Sequence, residues 1–484
     1  MSFSFVWHDY ETFGTDPARD RPSQFAARRT NEDLEPVGQP LTIYCQPPID
    51  VLPHPEACLL TGITPQLARD EGLPEYEFAR QIDDLFSVPG TCAAGYNSIR
   101  FDDEVTRHLL YRNFHEVYTR EWRGGNSRWD LIDVVRLWHA LRPQGLEWPV
   151  GDNGATTFKL ERLTEANQLV HARAHDALSD VDATIAIAKR LKTAQPRLFE
   201  HALKLRDKKF AATLLNVTEM TPVVHVSSKI PAARGCLAVI APIVLHPTNS
   251  NCVLTFDLSS DIDELLELDA DDLRDRVFAS NDDLPDGVTR LPLKGVHLNK
   301  SPMLSPIATL RGPDAERWNV DLALCLANQA KLLAAGDALR EKVREVFTQE
   351  PRDWADPELS LYGGFLPDAD KPRLAKVRAA GPDSIARLHG TFEDPRYDEL
   401  LFRYRARHYP DTLDEDERAR WQDFVAGKLR YDTGLASLTL NAFREHVAML
   451  AEREGNPERL RILAQLAVWP EESGLERLLR DDSY

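Results

Sequence analysis

Two carboxylates stand two residues apart at the end of the first apolar segment of the chain. Residues 3–8, FSFVWH, have the composition of a β-strand, and Asp9 and Glu11 follow directly. Side chains at positions i and i+2 of a strand point to the same face and lie within roughly 7 Å of one another. Two negative charges so close repel unless a cation lies between them, and oxygen ligands suit Mg²⁺ or Mn²⁺. Asp9 and Glu11 are therefore candidate metal ligands, with a solvated strand end as the alternative.

Two further acidic residues follow secondary structure that is predicted to bring them to the same place. Residues 91–97 form a predicted buried strand, and Asp102 lies in the first turn of the helix that follows it. A carboxylate at that point is aimed at the active end of the sheet. Asp180 lies one turn inside a predicted helix over 176–193, away from its apolar face, while Asp176 is the expected cap of that helix. We expect Asp102 and Asp180 to join the first pair.

Three polar residues close in sequence to these four, His175, Asp103 and Glu104, have other expected roles. His175 precedes Asp180 by five positions, and an unperturbed imidazole pKa near 6.5 suits proton transfer at neutral pH. A structural role is the alternative for a lone histidine. Asp103 and Glu104 are interpreted as ordinary first-turn acids that complement the helix dipole.

The overall charge argues against a protein that coats nucleic acid or an anionic membrane. The 484 residues carry a formal net charge of −19, with 43% hydrophobic and 28% charged residues, which is typical of a folded protein of about three domains. Residues 101–250 differ, since they hold 20 basic and 17 acidic side chains. We therefore predict a narrow positive channel in an acidic body.

Arginines and aromatic residues alternate within residues 107–142. Guanidinium groups that follow phosphates and rings that stack on unpaired bases fit single-stranded nucleic acid. The alternative for any single ring is a place in the core of a helix. The candidate nucleic-acid contacts in this stretch are Arg107, Tyr118, Trp122, Arg136 and Arg142.

The pattern of predicted elements divides the chain into three parts. Residues 1–195 read as an α/β domain, and β-branched runs between 221 and 298 predict a mostly β domain over 196–350. Residues 351–484 are helical by pattern, and their first twenty residues, rich in Pro, Asp and Gly, look like a connector. Six scattered cysteines suit a reducing compartment. With no signal peptide and no membrane-spanning run, we expect a cytoplasmic protein.

Three motifs, in order, give the chain a family resemblance. HDYETFG, GYNSIRFDDEV and HDALSDVDAT resemble the three motifs of the DEDD superfamily of 3′→5′ exonucleases, in its histidine-containing branch. LLTGIT at 59–64 resembles the loop of that branch whose apolar side chain lies beside the terminal base. DRPSQFAA and NSRWDLIDV resemble a bacterial group of the superfamily that carries two further domains. The resemblance covers essentially the whole chain.

The resemblance implies a mechanism and a set of site residues. Hydrolysis of the terminal phosphodiester would use two Mg²⁺ ions, with Mn²⁺ as a substitute, about 4 Å apart. Asp9 would bridge them, and His175 would take the proton of the attacking water. Glu11 would also contact substrate, and Lys159 stands where relatives carry an arginine that contacts phosphate. The four implied metal ligands are Asp9, Glu11, Asp102 and Asp180.

The resemblance also implies an architecture and partners. A ribonuclease H-like exonuclease domain, an SH3-like domain and a C-terminal helical domain would enclose single-stranded DNA, which explains processive 3′→5′ digestion in DNA repair and recombination. The acidic C-terminal tail of single-stranded DNA-binding protein would be a protein partner, and the chain would act as a monomer. An exoribonuclease with the same carboxylates and a non-catalytic single-strand-binding scaffold are the alternatives.

Overall fold

The structure is a computed structural model that describes residues 3–152, 154–171, 176–280, 283–285, 288–348 and 356–480. The strands are β1 Ser4–Thr12, β2 Pro22–Thr30, β3 Leu41–Tyr44, β4 Thr91–Gly95, β5 Ser127–Asp130, β6 Val223–Val226, β7 Leu237–Leu245, β8 Cys252–Asp257, β9 Leu293–His297 and β10 Met303–Pro306. The helices are α1 Pro55–Thr61, α2 Pro65–Glu71, α3 Glu75–Phe86, α4 Asp102–Arg112, α5 Leu131–Leu141, α6 Leu160–Ala166, α7 Ala177–Ala194, α8 Pro196–Lys204, α9 Lys208–Leu214, α10 Asp263–Glu267, α11 Ala270–Phe278, α12 Gly312–Arg317, α13 Leu322–Val346, α14 Lys371–Ala379, α15 Pro382–Ile385, α16 Arg396–His408, α17 Glu415–Arg430, α18 Leu440–Arg453, α19 Pro457–Glu472 and α20 Leu475–Arg480.

The first sheet is mixed and has the strand order β3-β2-β1-β4-β5. Strand β1 pairs antiparallel with β2 and parallel with β4, so it lies at the centre of the sheet. Alternation along β1 sends Trp7 into a core shared with α5 and α7, and Tyr10 into a second core with α3 and α4. Both faces are therefore covered by helices, and the ends of β1 and β4 open toward the start of α4.

The second sheet contains β6 to β10 in the order β10-β6-β7-β8-β9, with every neighbouring pair antiparallel. Its apolar face packs against α13, the long helix of this part of the chain. The acidic segment over 261–278 forms two short helices, α10 and α11, rather than one continuous helix. The break coincides with Asp269, whose side chain caps α11 by accepting from two backbone N–H groups.

The C-terminal helices pack directly on the first domain. Phe13, Leu52 and Leu59 share one apolar core with residues of α17 to α20, and Tyr111 and Phe114 share another with α16. The sequence predicted a connector over 351–370. Its described part, from residue 356, is instead anchored, because Asp356, Glu358 and Asp370 are buried and paired with protein groups.

A buried ion network joins this anchored segment to both neighbouring parts of the chain. Arg407 of α16 donates to Asp50 at 2.7 Å and to Glu358 at 2.9 Å, and Lys428 of α17 donates to Asp50 at 2.8 Å. Arg21 reaches Glu358 at 2.5 Å. The network consists of Arg21, Asp50, Glu75, Arg112, Asp356, Glu358, Arg403, Arg407 and Lys428.

Three strands were not predicted from the sequence. Strand β2 carries polar and basic residues, and β5 and β10 are four residues each. Their pairing with neighbours decides their conformation more than their composition does. Among the described residues, no helix combines the length and the apolar character needed to cross a membrane.

Candidate active site

Three carboxylates converge where β1 ends against the start of α7. One oxygen each of Asp9, Glu11 and Asp180 lies within 4.8 Å of the other two. Asp9 and Glu11 share a face of β1, as their spacing predicts, and α7 packs across β1 and β2 on that side. Asp176 caps α7 by accepting from the backbone N–H of Ser179, which places Asp180 in the first turn facing the strand.

Asp102 belongs to the same site through the backbone of β1. Its Oδ1 accepts a hydrogen bond of 3.0 Å from the backbone N–H of Tyr10, the residue between Asp9 and Glu11. The carboxylate is buried, with 3% of the residue exposed. The structure thus brings together all four carboxylates that the sequence predicted; their role as metal ligands stays a prediction.

The charges of the cluster repel one another, and burial adds to this effect. Burial, followed by the charges of Asp102, Glu11 and Asp180, holds the pKa of Asp9 well above its usual range. Burial together with Asp180 and Asp176 raises the pKa of Glu11 to about 8. Burial also raises the pKa of Asp102, although the N–H of Tyr10 opposes this.

The residues present fit a divalent cation. The donors of the cluster are carboxylate oxygens, which Mg²⁺ and Mn²⁺ prefer over softer ligands. A bound cation would replace mutual repulsion with attraction and return the acids to their ionised form. Raised pKa values caused by burial and by neighbouring carboxylates are therefore typical of acids that share a cation site.

A charge-removing substitution at Glu11 is expected to stabilise the metal-free protein. The pKa of Glu11 rises from 4.5 to about 8 on folding, so the folded chain holds this proton more tightly than the unfolded chain. Stability consequently falls as the pH rises from about 4.5 to about 8. In EDTA at pH 8.5, Glu11→Gln should raise Tm by roughly 3 °C or more, with a smaller gain at pH 5.

Thermal scans with EDTA and with Mg²⁺ measure this effect. Wild type should gain Tm when Mg²⁺ is added, and Glu11→Gln should gain less. Glu267→Gln is the matched control, because Glu267 is exposed on α10. A lower Tm for Glu11→Gln in EDTA at pH 8.5 would mean that repulsion within the cluster is not what limits stability there.

The predicted proton acceptor, His175, lies outside the described residues. A different histidine contacts the cluster: His171 Nε2 lies 2.5 Å from Asp180 Oδ1, and its Nδ1 lies 3.2 Å from Thr164 Oγ1. Since Thr164 belongs to α6, the imidazole connects α6 to the carboxylate of α7. Sequence reasoning missed His171; the signal available was a second histidine four positions before His175.

Two buried carboxylates anchor the backbone that carries Asp102. Asp103 accepts hydrogen bonds of 2.9 Å from Arg120 and from Arg128, so its interpretation as an ordinary first-turn acid was wrong. Asp130, at the end of β5, accepts from the backbone N–H groups of Asn97 and Ile99 at 2.8 and 3.2 Å. These bonds hold the turn between β4 and α4. Sequence reasoning missed Asp130; the available signal was its position directly before Leu131, where helix α5 begins.

Three of the predicted nucleic-acid contacts form ion pairs with carboxylates of the protein instead. Arg107 is buried and pairs with Glu121 and Glu104 at 2.8 Å. Arg136 pairs with Asp133 at 2.7 Å, and Arg142 with Asp314 at 3.2 Å. The expectation that these guanidinium groups line a strand's path conflicts with this arrangement, because bound phosphate would have to displace their carboxylate partners.

The other candidates remain accessible. Trp122 is 63% exposed and Tyr118 is half-buried. Lys159 is exposed at the N-cap position of α6. In the LLTGIT loop, Leu59 is buried and Leu60 is exposed, so Leu60 is the side chain of that loop that is free to meet a ligand.

The mixed sheet, the covering helices and the carboxylate cluster define an exonuclease domain. The family model described as "Exonuclease" matches residues 6–188. Two further models match the rest of the chain: "Exonuclease I SH3-like domain" over residues 206–349 and "Exonuclease I C-terminal domain" over 355–473. The chain is therefore a nuclease with an SH3-like domain and a C-terminal domain, as its resemblance implied. The matched segments lie within the predicted domain ranges 1–195, 196–350 and 351–484, whose boundaries stay a prediction.

Comparison with individual proteins identifies the family of nucleases more closely. Exodeoxyribonuclease I of Escherichia coli K12 is 48% identical over 422 residues, which are 86% of this chain and 88% of the relative. The structure of Exonuclease I from Methylocaldum szegediense matches with a TM-score of 0.91 and 48% identity, covering 99% of this chain and 100% of the other. A zinc-bound E. coli Exonuclease I complex with single-stranded DNA matches with a TM-score of 0.91 and 43% identity, covering 98% and 100%. The chain belongs to the exodeoxyribonuclease I family.

Proposed function

We propose that this nuclease digests single-stranded DNA processively from its 3′ end and releases 5′-mononucleotides. The observation that carries the proposal is the convergence of Asp9, Glu11 and Asp180 beside the buried Asp102. Support for the substrate comes from the E. coli relative, whose structure contains single-stranded DNA. We also propose a role in DNA repair and recombination.

The four carboxylates would hold two divalent ions, with Mg²⁺ as the proposed physiological metal and Mn²⁺ as a substitute. Asp9 is the proposed bridging ligand, since it interacts with all three other acids. When bound, the ions supply Lewis-acid stabilisation of phosphate oxygens and lower the pKa of water. His175 is the proposed acceptor of the proton of the attacking water, a role that suits an imidazole.

The remaining residues of the site position the substrate and the ligands. Asp103 and Asp130 fix the turn that presents Asp102, and His171 holds Asp180 against α6. Glu11 is also the proposed contact of the cluster to the terminal nucleotide. Tyr118 and Trp122 are the proposed aromatic contacts to bases.

The cellular setting is part of the same proposal. All six cysteines are buried and free, which fits a reducing compartment such as the cytoplasm. We propose a monomer that also binds the acidic C-terminal tail of single-stranded DNA-binding protein.

Matched DNA and RNA strands test the substrate. Purified protein with Mg²⁺ should release nucleotides from the DNA strand faster than from an RNA strand of the same sequence and length. Faster loss of RNA would favour an exoribonuclease, and no release from either strand would contradict nuclease activity on single strands.

Lys159 provides a prediction about phosphate binding. Its ammonium is exposed, and a lysine that contacts phosphate contributes mainly Coulomb attraction. Lys159→Ala should raise KM for single-stranded DNA roughly 3- to 10-fold and reduce the slope of log KM against log salt by about 1. Lys159→Arg should retain the wild-type slope.

Steady-state kinetics at several salt concentrations measure the effect. Lys331→Ala is the control, since Lys331 is an exposed residue of α13 that pairs with Asp263. An unchanged salt slope for Lys159→Ala would place this lysine outside the strand's path.

A further inference from the structure

The imidazole of His171 makes a contact at each of its two ring nitrogens, and the two contacts run to different helices. Its Nε2 lies 2.5 Å from Oδ1 of Asp180 on α7, and its Nδ1 lies 3.2 Å from Oγ1 of Thr164 on α6. A carboxylate oxygen accepts, so Nε2 donates to Asp180, while a hydroxyl can either donate or accept and therefore suits Nδ1 in any protonation state. Partners on both nitrogens fix the position and the plane of the ring.

Thr164 gives His171 a rigid support. Thr164 is fully buried, and its Oγ1 lies 2.9 Å from the carbonyl oxygen of Leu160 in the preceding turn of α6. Leu163, the neighbouring residue, belongs to the apolar core that includes residues of α5 and α7, and α6 packs against α7. A displacement of the imidazole would therefore require α6 to move as well.

Repulsion within the carboxylate cluster acts on Asp180 in the opposite direction. One oxygen of Asp180 lies within 4.8 Å of oxygens of Asp9 and Glu11. Burial, and then neighbouring charges that include Asp180, raise the pKa of both of these acids. The side chain of Asp180 is 17% exposed, so rotation about its Cα–Cβ bond toward water would relieve the repulsion. The bond from His171 opposes that rotation.

The imidazole lies outside the group of candidate ligand atoms. Among the residues that the structure describes, the atoms within 4.8 Å of one another come from Asp9, Glu11 and Asp180, and His171 is not in this group. A hydrogen-bonded partner of a ligating carboxylate orients that carboxylate, and its removal typically costs roughly 10- to 100-fold in metal affinity. His171 has the geometry of such a partner.

We infer that His171 is a positioning residue that holds Asp180 in the orientation needed for a divalent cation, with Thr164 as its support. The inference rests on the proposed function, since it concerns the same cluster. It makes the metal affinity of the cluster depend on two residues outside the four carboxylates. Lys159 is the N-cap residue of α6, so the helix that carries the proposed phosphate contact also supports a metal ligand.

Binding of Mn²⁺ in the absence of DNA tests the inference, with free Mn²⁺ measured by electron paramagnetic resonance during a titration. His171→Ala should raise the Kd for Mn²⁺ roughly 10- to 100-fold. Thr164→Val, which has the same shape, should raise it less, because the ring keeps its bond to Asp180. His171→Gln should stay within about threefold of wild type, since its amide N–H replaces Nε2 as the donor. His389→Ala is the matched control, because His389 is an exposed histidine.

A second readout separates positioning from folding. The Tm of His171→Ala in EDTA should stay within about 3 °C of wild type, while the rise in Tm on addition of Mg²⁺ should be smaller than in wild type. The rate of hydrolysis should fall at limiting Mg²⁺, and excess Mg²⁺ should restore most of it.

Four results would contradict the inference. They are a Kd for Mn²⁺ within twofold of wild type in His171→Ala, an equal increase in His389→Ala, and a His171→Gln variant that binds as weakly as His171→Ala. The fourth is a loss of affinity in His171→Ala that is far larger for Zn²⁺, measured by competition with Mn²⁺, than for Mg²⁺. Such a difference would make the imidazole a metal ligand rather than a support for Asp180.

Failure of the inference is distinguishable from failure of the proposed function. If wild type binds Mn²⁺ but releases no nucleotides from single-stranded DNA, the proposed function fails. Normal hydrolysis by wild type, together with an unchanged affinity for Mn²⁺ in His171→Ala, removes only the positioning role.

Discussion

Replacing Asp9 with asparagine is expected to lower kcat for single-stranded DNA hydrolysis roughly 10³-fold or more. Asp9 lies between Glu11, Asp180 and Asp102 and interacts with all three. The substitution removes the charge that the other carboxylates share in holding a cation, and the amide nitrogen that it introduces is not a metal ligand. The fold should survive, because Asp9→Asn also relieves repulsion among buried acids.

Initial rates with saturating Mg²⁺ measure this effect, together with the Tm in EDTA as a check on folding. Asp182→Asn is the control, since Asp182 lies on α7 two positions after Asp180 but pairs with Arg28 on the surface. The control should keep wild-type activity. An Asp9→Asn protein that retains a tenth of the wild-type rate would remove this residue from the catalytic metal site.

Breaking the buried ion network at Arg407 is expected to destabilise the protein by about 3–5 kcal/mol. Arg407 is the member that contacts both Asp50 of the first domain and Glu358 of the anchored segment. Arg407→Met keeps much of the apolar volume but leaves Asp50 with Lys428 as its remaining cation, and removes one partner of Glu358. A buried carboxylate with fewer partners loses the interaction that offset its desolvation.

The pKa values give this prediction a pH dependence. Burial alone would raise the pKa of Asp50, but Arg407 and Lys428 outweigh it and hold the pKa below its usual range. Burial is likewise overcome at Glu75, where Arg112 and Arg21 lower the pKa to about 2. Carboxylates with depressed pKa values contribute stability above their unfolded pKa, near 4, and lose it as the pH falls. The difference between wild type and Arg407→Met should therefore be large at pH 7 and smaller at pH 3.

Urea unfolding followed by tryptophan fluorescence at the two pH values measures the effect. Arg80→Met is the control, because Arg80 forms surface pairs with Glu77 and Asp84 and should cost no more than about 1 kcal/mol. Equal midpoints for Arg407→Met and Arg80→Met at pH 7 would contradict a stabilising role for the network.

Much of the fold and the convergence of the four carboxylates followed from local sequence patterns. The helix predicted over 176–193 is helix α7, Ala177–Ala194. Asp9 and Glu11 were predictable from strand alternation, and Asp102 and Asp180 from their places in the first turns of helices. Each of these inferences depends on neighbours within a few residues along the chain, where spacing determines direction.

Features that depend on distant partners were not predictable. Arg107, Arg136 and Arg142 were expected to contact nucleic acid, yet each is paired with a carboxylate. The other four arginines of residues 107–142 are paired with carboxylates as well. Composition alone does not distinguish a guanidinium that binds phosphate from one that binds a buried acid. The pair of Asp50 and Lys428 spans 378 positions, a separation at which no sequence pattern indicates contact.

The central claim is that four carboxylates hold the metal ions at which the 3′ end of a DNA strand is cut. The most direct test of this claim is X-ray diffraction at the manganese absorption edge. The sample is a crystal of the wild-type protein soaked with Mn²⁺ and a short oligodeoxynucleotide. We predict two anomalous peaks among Asp9, Glu11, Asp102 and Asp180, with the 3′-terminal phosphodiester beside them. Anomalous peaks elsewhere with none at this cluster, or a 5′ end at the cluster, would contradict the account.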